Sequence, residues 1–142
     1  MSRSNYNDEI DNWQLIKWRG MVASAIRGKR GQQFFKDLLA ALDSMPEKVL
    51  IVGELEENGE VCAMGSLGRA RGLDMEKLDP TEPEDVATAF NIATCLAQEV
   101  AYMNDEWGER DESPQQRWTR MREWVVKQIA GPAQAEKGSG KP

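Results

Sequence analysis

The dipeptide Asn58-Gly59 lies between two short apolar runs, and this is the clearest β-structure signal in a chain whose other apolar residues recur at helical spacing. The first run, residues 49–52, contains three β-branched side chains, which favour a pleated, half-buried strand. The second run covers residues 61–64. Asn and Gly both tolerate positive φ, so a tight turn is favoured between the runs. The pattern predicts one β-hairpin over about residues 49–66, and helices must cover one face because a lone hairpin is marginal in water.

The register of this hairpin stays open. A two-residue turn sets Glu57 opposite Glu60, which is unfavourable for two like charges. In that register, Ile51, Leu55, Cys62 and Met64 would lie together on one face of the hairpin. A three-residue turn with Gly59 in the left-handed region avoids the charge pair and flips the two faces.

The segment that follows the hairpin, GSLGRARG over residues 65–72, combines three glycines with Arg69 and Arg71. It could hold a phosphate through backbone N–H groups and the two arginines. It matches neither of the glycine-rich nucleotide-binding motifs. We therefore favour a flexible connector that turns the chain onto the next helix.

Helical periodicity predicts two helices before the hairpin, over residues 9–27 and 32–45, joined by a tight turn at residues 28–31 as an αα-hairpin. The apolar stripe of the first helix contains Leu15, Trp18, Val22 and Ile26. Trp13 and Ile16 lie off that stripe, and we expect them to widen the buried face because most tryptophans are substantially buried.

After the hairpin, Thr81 is expected to cap a helix that reaches about residue 104, either as one helix or as two. Ser113, Pro114 and Gln116 form the start signature of a last helix, with a capping box. Together these elements predict an α+β fold, mostly helical, with four to five helices packed around one hairpin. Residues 1–131 are expected to form one domain, and residues 132–142 a disordered tail.

Composition excludes several kinds of chemistry. The chain has no histidine, which removes Ser-His-Asp and Cys-His nucleophilic catalysis and the common zinc sites. Its two cysteines, Cys62 and Cys95, are expected to be small buried side chains of a reducing compartment. No apolar run approaches a membrane span. We expect a cytoplasmic protein that is not an enzyme and holds no metal or cofactor.

Five carboxylates between residues 105 and 112 could bind a divalent cation, but their spacing does not match a calcium loop. A solvated acidic loop is the favoured interpretation. A Mg²⁺-dependent enzyme that uses Glu99, Asp105, Glu106 or Glu109 is the least favoured functional alternative.

Charge is distributed unevenly along the chain. Residues 13–36 carry six cations and no acid, in a chain of net charge −6. Such a window could attract phosphate or an acidic protein. We take the candidate binding residues to be Arg19, Arg27, Lys29, Arg30, Arg69 and Arg71.

Three segments resemble a family of small uncharacterised proteins encoded by tailed bacteriophages and prophages of proteobacteria. They are SNYNDEIDNWQLIKWRGMVASAIRGKRGQ, GEVCAMGSLGRARGLDM and SPQQRWTRMREWV. The resemblance implies an accessory protein in the host cytoplasm that binds and modulates a host factor, such as an antiviral-defence component, through its Arg-rich surface. The partner is then a host or phage protein, and a nucleotide or nucleic acid is the alternative ligand. A homo-oligomer is compatible with the same reading.

Overall fold

The computed structural model describes residues 3–4 and 12–129. These residues form six α-helices, a two-stranded antiparallel hairpin and one 3₁₀ turn, Met75–Lys77. The helices are α1 (Asn12–Arg27), α2 (Lys29–Ser44), α3 (Ala63–Arg71), α4 (Pro83–Phe90), α5 (Thr94–Asp105) and α6 (Pro114–Gln128). The strands are β1 (Glu56–Glu57) and β2 (Glu60–Val61). The predicted α+β, mostly helical class is confirmed, with one helix more than expected. The predicted tail and the boundary at residue 131 lie outside the described residues.

The hairpin uses the two-residue turn. Asn58 and Gly59 have φ values of 55° and 83°, and Glu57 lies opposite Glu60. Both glutamates are exposed, so water screens their repulsion. The paired region is shorter than predicted because α3 begins at Ala63, directly after the second strand.

The expectation of a flexible connector at residues 65–72 is wrong, because most of this segment is helix α3. Its glycines permit close packing. A Cβ on Gly65 would lie 1.9 Å from the carbonyl oxygen of Leu55, and one on Gly68 would lie 2.6 Å from Sδ of Met75. Gly72 ends the helix with φ 73°, as a left-handed C-cap. The backbone N–H groups are therefore engaged in a helix and do not form a phosphate-binding loop.

The hydrophobic core is built mainly on α2, which buries one apolar face against α3 and α6. The largest fully buried side chains are Phe34, Phe35, Phe90, Leu38, Leu42, Leu50, Leu67, Leu96, Met121, Val61, Val100 and Val125. Both cysteines are buried and free, as predicted. None of the helices in the described ranges is long and apolar enough to cross a membrane.

Helix α1 packs on α2 and α5 through only part of its apolar surface. Val22 is buried, and Trp18 and Ile26 are half-buried. The expectation that Trp13 and Ile16 join the core is wrong: they are 66% and 62% exposed. Leu15, which was placed on the buried stripe, is also exposed. The first half of α1 therefore presents apolar side chains to solvent.

The chain between residues 82 and 104 forms two helices. Asn91 ends α4 with φ 59°, and α5 begins at Thr94. Thr81 does not cap α4. Its hydroxyl and its backbone N–H donate to Oδ1 of Asp79, and Glu82 occupies the N-cap position.

The start of α6 is confirmed in detail. The hydroxyl of Ser113 accepts from the backbone N–H of Gln116, and the Gln116 side chain accepts from the backbone N–H of Ser113.

Candidate functional site

An open groove of about 650 Å³ lies where the start of α2 meets the ends of α3 and α4. Its lining combines two buried aromatic side chains, Phe34 and Phe90, with cations and amides. The polar lining residues are Lys29, Arg30, Gln33, Arg71 and Asn91. Cations from two segments that are far apart in sequence therefore share one concave surface.

The corner between α1 and α2 positions Lys29 and Arg30. Gly28 donates its N–H to the Ser24 carbonyl at 3.1 Å, and α2 begins one residue later. A Cβ on Gly31 would lie 1.9 Å from the carbonyl oxygen of Ala25. Only glycine allows the first turn of α2 to approach the last turn of α1 so closely. The cations at the start of α2 are thereby held at a fixed, rigid corner.

The first turn of α2 is unusual in its charge. It contains Lys29 and Arg30 but no acid, and no side chain caps its N–H groups. A helix N-terminus carries partial positive charge, so cations there weaken a helix by roughly 0.3–1 kcal/mol at most surface sites. These two cations add to the potential of the helix end instead of offsetting it. An anion in the groove would meet both sources of positive potential.

Arg71, at the end of α3, reaches the same groove from the opposite side. Its guanidinium donates to the Phe90 carbonyl at 3.1 Å and to Oδ2 of Asp37 at 3.0 Å. Arg30 donates to Oδ1 of Asn91 at 3.3 Å. Among these described contacts, Asp37 is the one carboxylate near the three cations Lys29, Arg30 and Arg71. The groove therefore keeps a net positive charge.

The structure does not bring the other three predicted residues into the groove. Arg19 forms an ion pair of 2.5 Å with the buried carboxylate of Glu99. Arg69 donates to Glu56 and to the Gly59 carbonyl, and it lines a separate depression beside the hairpin. Arg27 lies in the last turn of α1 and is exposed, but it does not line the groove.

The acidic segment after α5 differs from the expected solvated loop. Asp105 accepts two hydrogen bonds from Arg3, at 2.6 and 2.8 Å, and both side chains are largely buried. Burial opposes the charge on Arg3, but Cys62 and Asp105 outweigh it, so the pKa of the guanidinium is raised. Glu106 accepts from the Ser4 hydroxyl. These carboxylates thus fasten the described N-terminal residues to α5.

Glu112 is likewise committed to partners within the chain. Its carboxylate contacts Arg120 at 2.6 Å and Arg117 at 3.3 Å, and its side chain is 8% exposed. Arg120 also donates to the carbonyls of Met103 and Asn104, so this cluster joins α5 to α6. Within the described residues, no three acidic, cysteine or histidine side chains come together as a metal-binding group.

Sequence reasoning missed Gln33, Phe34, Phe90 and Asn91 as lining residues. Asn91 had a local signal, since asparagine tolerates the left-handed backbone conformation that can end a helix. Its approach to Arg30, 61 residues away in the chain, depends on tertiary packing and leaves no local pattern.

No family model matches the chain, and no curated protein or solved structure matches it at a significant level.

Proposed function

We propose that this chain is a non-enzymatic binding protein that holds an acidic segment of a partner protein in the groove between α2, α3 and α4. The observation that carries the proposal is the convergence of Lys29, Arg30 and Arg71 on one open surface. The two arginines present planar guanidinium groups, which suit carboxylates in a bidentate geometry. Hydrogen bonds to Phe90, Asp37 and Asn91 hold both groups in place, so little side-chain entropy is lost on binding.

The chemistry of the lining favours a protein segment over a free anion. Gln33 and Asn91 offer amide groups beside the cations, whereas the side chains of Phe34 and Phe90 are fully buried. An acidic side chain together with the peptide groups next to it would match both the cations and the amides of this lining. The part of the chain outside residues 13–36 has a net negative charge, which disfavours non-specific binding along nucleic acid.

The biological setting in this proposal comes from the resemblance to phage and prophage proteins. The protein would act in the cytoplasm of the infected bacterium, where it would bind and modulate a host factor such as an antiviral-defence component. The acidic segment of that factor would occupy the groove.

The test compares two variants that change net charge equally. In the first, Lys29→Glu is combined with Arg30→Glu. In the control, Lys36→Glu is combined with Lys77→Glu, two exposed lysines that do not line the groove. Partners are captured from a proteobacterial lysate at low and high salt. We expect the groove variant to lose capture and the control to keep it. Equal capture by both variants would refute the groove.

An electrophoretic shift assay with a single-stranded oligonucleotide distinguishes the alternative ligand. A shift that weakens steeply with salt, and that disappears in the groove variant, would replace the protein partner with nucleic acid.

A further inference from the structure

Asp37 lies on α2 beside the groove, and its carboxylate is held by two of the residues that line it. Oδ1 of Asp37 accepts a hydrogen bond of 2.9 Å from Nε2 of Gln33, which lies one turn earlier on the same helix. Oδ2 accepts a hydrogen bond of 3.0 Å from Nη2 of Arg71, at the end of α3. Each carboxylate oxygen therefore engages one polar donor of the groove lining.

A carboxylate of a bound partner would use the same kinds of donor. Carboxylates accept hydrogen bonds from guanidinium and amide groups, and those from a guanidinium are the stronger because both groups are charged. Arg71 supplies the guanidinium and Gln33 the amide on this side of the groove. Asp37 thus engages, from within the chain, the donors that an acidic ligand needs.

Arg71 differs in this respect from the other two cations of the groove. Within the described residues, it is the one of the three that forms an ion pair with a carboxylate. Arg30 instead donates to the neutral amide oxygen of Asn91, at 3.3 Å. The acidic side chain that the chain itself supplies is therefore placed at the α3 side of the groove and not at the start of α2.

The pair between Asp37 and Arg71 is weak enough to be exchanged. The two side chains are 37% and 29% exposed, so water screens their attraction. Arg71 does not depend on Asp37 for its position, because its Nη1 also donates to the Phe90 carbonyl at 3.1 Å. A ligand carboxylate can replace Asp37 at Nη2 while Nη1 keeps the guanidinium in the groove.

On the basis of the proposed function, we infer that Asp37 is an internal competitor for the groove: its carboxylate must leave Arg71 before a ligand carboxylate can bind there. Such a contact lowers the apparent affinity by the fraction of molecules in which the site is free. The charge of Asp37 also repels the negative charge of the ligand at short range. Both effects act in the same direction, so Asp37 sets the affinity of the groove below that which its cations alone would give.

The test measures the affinity of the full chain for one defined probe, an acetylated and amidated tetraglutamate peptide, by NMR titration of the isotope-labelled protein at low salt. Asp37→Asn keeps the size of the side chain and removes its charge. This variant is expected to bind the peptide about 5-fold more tightly, which is the upper range for the loss of an exposed ion pair. A higher salt concentration should shrink the gain.

Asp43→Asn is the matched control. Asp43 lies on the same helix, its side chain is similarly exposed, and it forms a comparable ion pair with Arg122, which does not line the groove. The two variants change net charge equally, so Asp43→Asn is expected to bind the peptide like the parent. An equal gain in both variants would overturn the inference, because the effect would then come from overall charge.

A double-mutant cycle separates competition from repulsion. Arg71→Gln, at a partly exposed position, is expected to fold, and it removes the guanidinium for which Asp37 and the peptide compete. In that background the gain from Asp37→Asn is expected to fall below about 2-fold, because only the removal of repulsion remains. An undiminished gain would overturn the inference. So would a loss of affinity in Asp37→Asn alone, since Asp37 would then position Arg71 for binding.

The outcomes also separate the competitor from the groove itself. Lys29→Glu combined with Arg30→Glu should abolish peptide binding, both in the parent and together with Asp37→Asn. If this loss is seen but Asp37→Asn alone changes nothing, the groove stands and the competitor is refuted. If neither the parent nor Asp37→Asn binds the peptide at millimolar concentration, both are refuted.

Discussion

Gly31→Ala is expected to destabilise the fold, because the substitution adds one methyl group where two helices touch through their backbones. The new Cβ would lie 1.9 Å from the carbonyl oxygen of Ala25 and 2.9 Å from that of Ile26. Real Cβ contacts essentially never fall below 3.0 Å, so the end of α1 and the start of α2 must separate by about 1.1 Å. Neither neighbour can rotate away, since both are main-chain atoms.

Two terms set the magnitude. Alanine is favoured over glycine inside a helix by about 1 kcal/mol. Overpacking typically costs about 1–3 kcal/mol, and a backbone contact of this kind belongs at or above the upper end. The net loss of unfolding free energy is therefore about 2 kcal/mol. In a chain of this size it should lower Tm by roughly 6–8 °C.

Urea unfolding followed by tryptophan fluorescence, together with a thermal melt, measures this loss. Gly20→Ala is the matched control, because it makes the same substitution in the neighbouring helix with nothing within 4 Å. It should raise stability by about 0.5–1 kcal/mol through helix propensity alone. If Gly31→Ala is as stable as the parent, the close approach that fixes the α1–α2 corner is refuted.

Three further predictions concern local contacts. Ser113→Ala removes the cap of α6 and should cost about 1 kcal/mol in a urea titration, whereas Ser113→Asp should keep most of the stability. Asn91→Ala should cost about 1 kcal/mol because alanine resists the left-handed conformation at φ 59°, while Asn91→Gly should not. The hydrogen bonds from Arg122 lower the pKa of Asp43 in the folded chain. The pair therefore stabilises the fold at pH values above about 4, the pKa of the carboxyl in the unfolded chain. The stabilisation is lost as the pH falls through the lowered pKa of the folded chain. Asp43→Asn should reduce stability slightly at pH 7 and less at pH 2, with a smaller difference in high salt; an equal loss at both pH values would contradict this reasoning.

The sequence was informative where a structural element is specified by its immediate neighbours. The start of α6 was predicted residue by residue, because a cap, an N1 proline and a capping-box glutamine act within one turn. The hairpin turn was predicted for the same reason, since Asn58 and Gly59 set their own backbone geometry. The sequence did not decide its register, because the choice depends on whether two exposed glutamates can lie opposite each other.

The prediction from sequence was wrong where a glycine can serve either of two structural roles, flexibility or close packing. Gly65 indicated a flexible segment, but its role is to let α3 lie against the Leu55 carbonyl. A glycine that permits flexibility and one that permits close packing look alike until the neighbour is known. The same limit applies to the cations. Arg19 appeared to belong with Arg27 and Lys29, yet its partner, Glu99, is 80 residues away in the chain.

Several features of the first two helices do not favour an isolated, folded monomer. Elsewhere in the described chain, a capping box starts α6, and Glu112 and Asp105 are each paired with arginine. In contrast, α1 exposes a tryptophan and an interior glycine, and α2 begins with two cations and no cap. Each of these arrangements is unfavourable by a fraction of a kcal/mol to about 1 kcal/mol. Residues that are locally unfavourable for folding are expected at functional surfaces, because binding requires them even though they lower stability. The apolar surface lies on the first half of α1 and the cationic one at the start of α2, and the close approach of the two helices at Gly31 fixes their relative position.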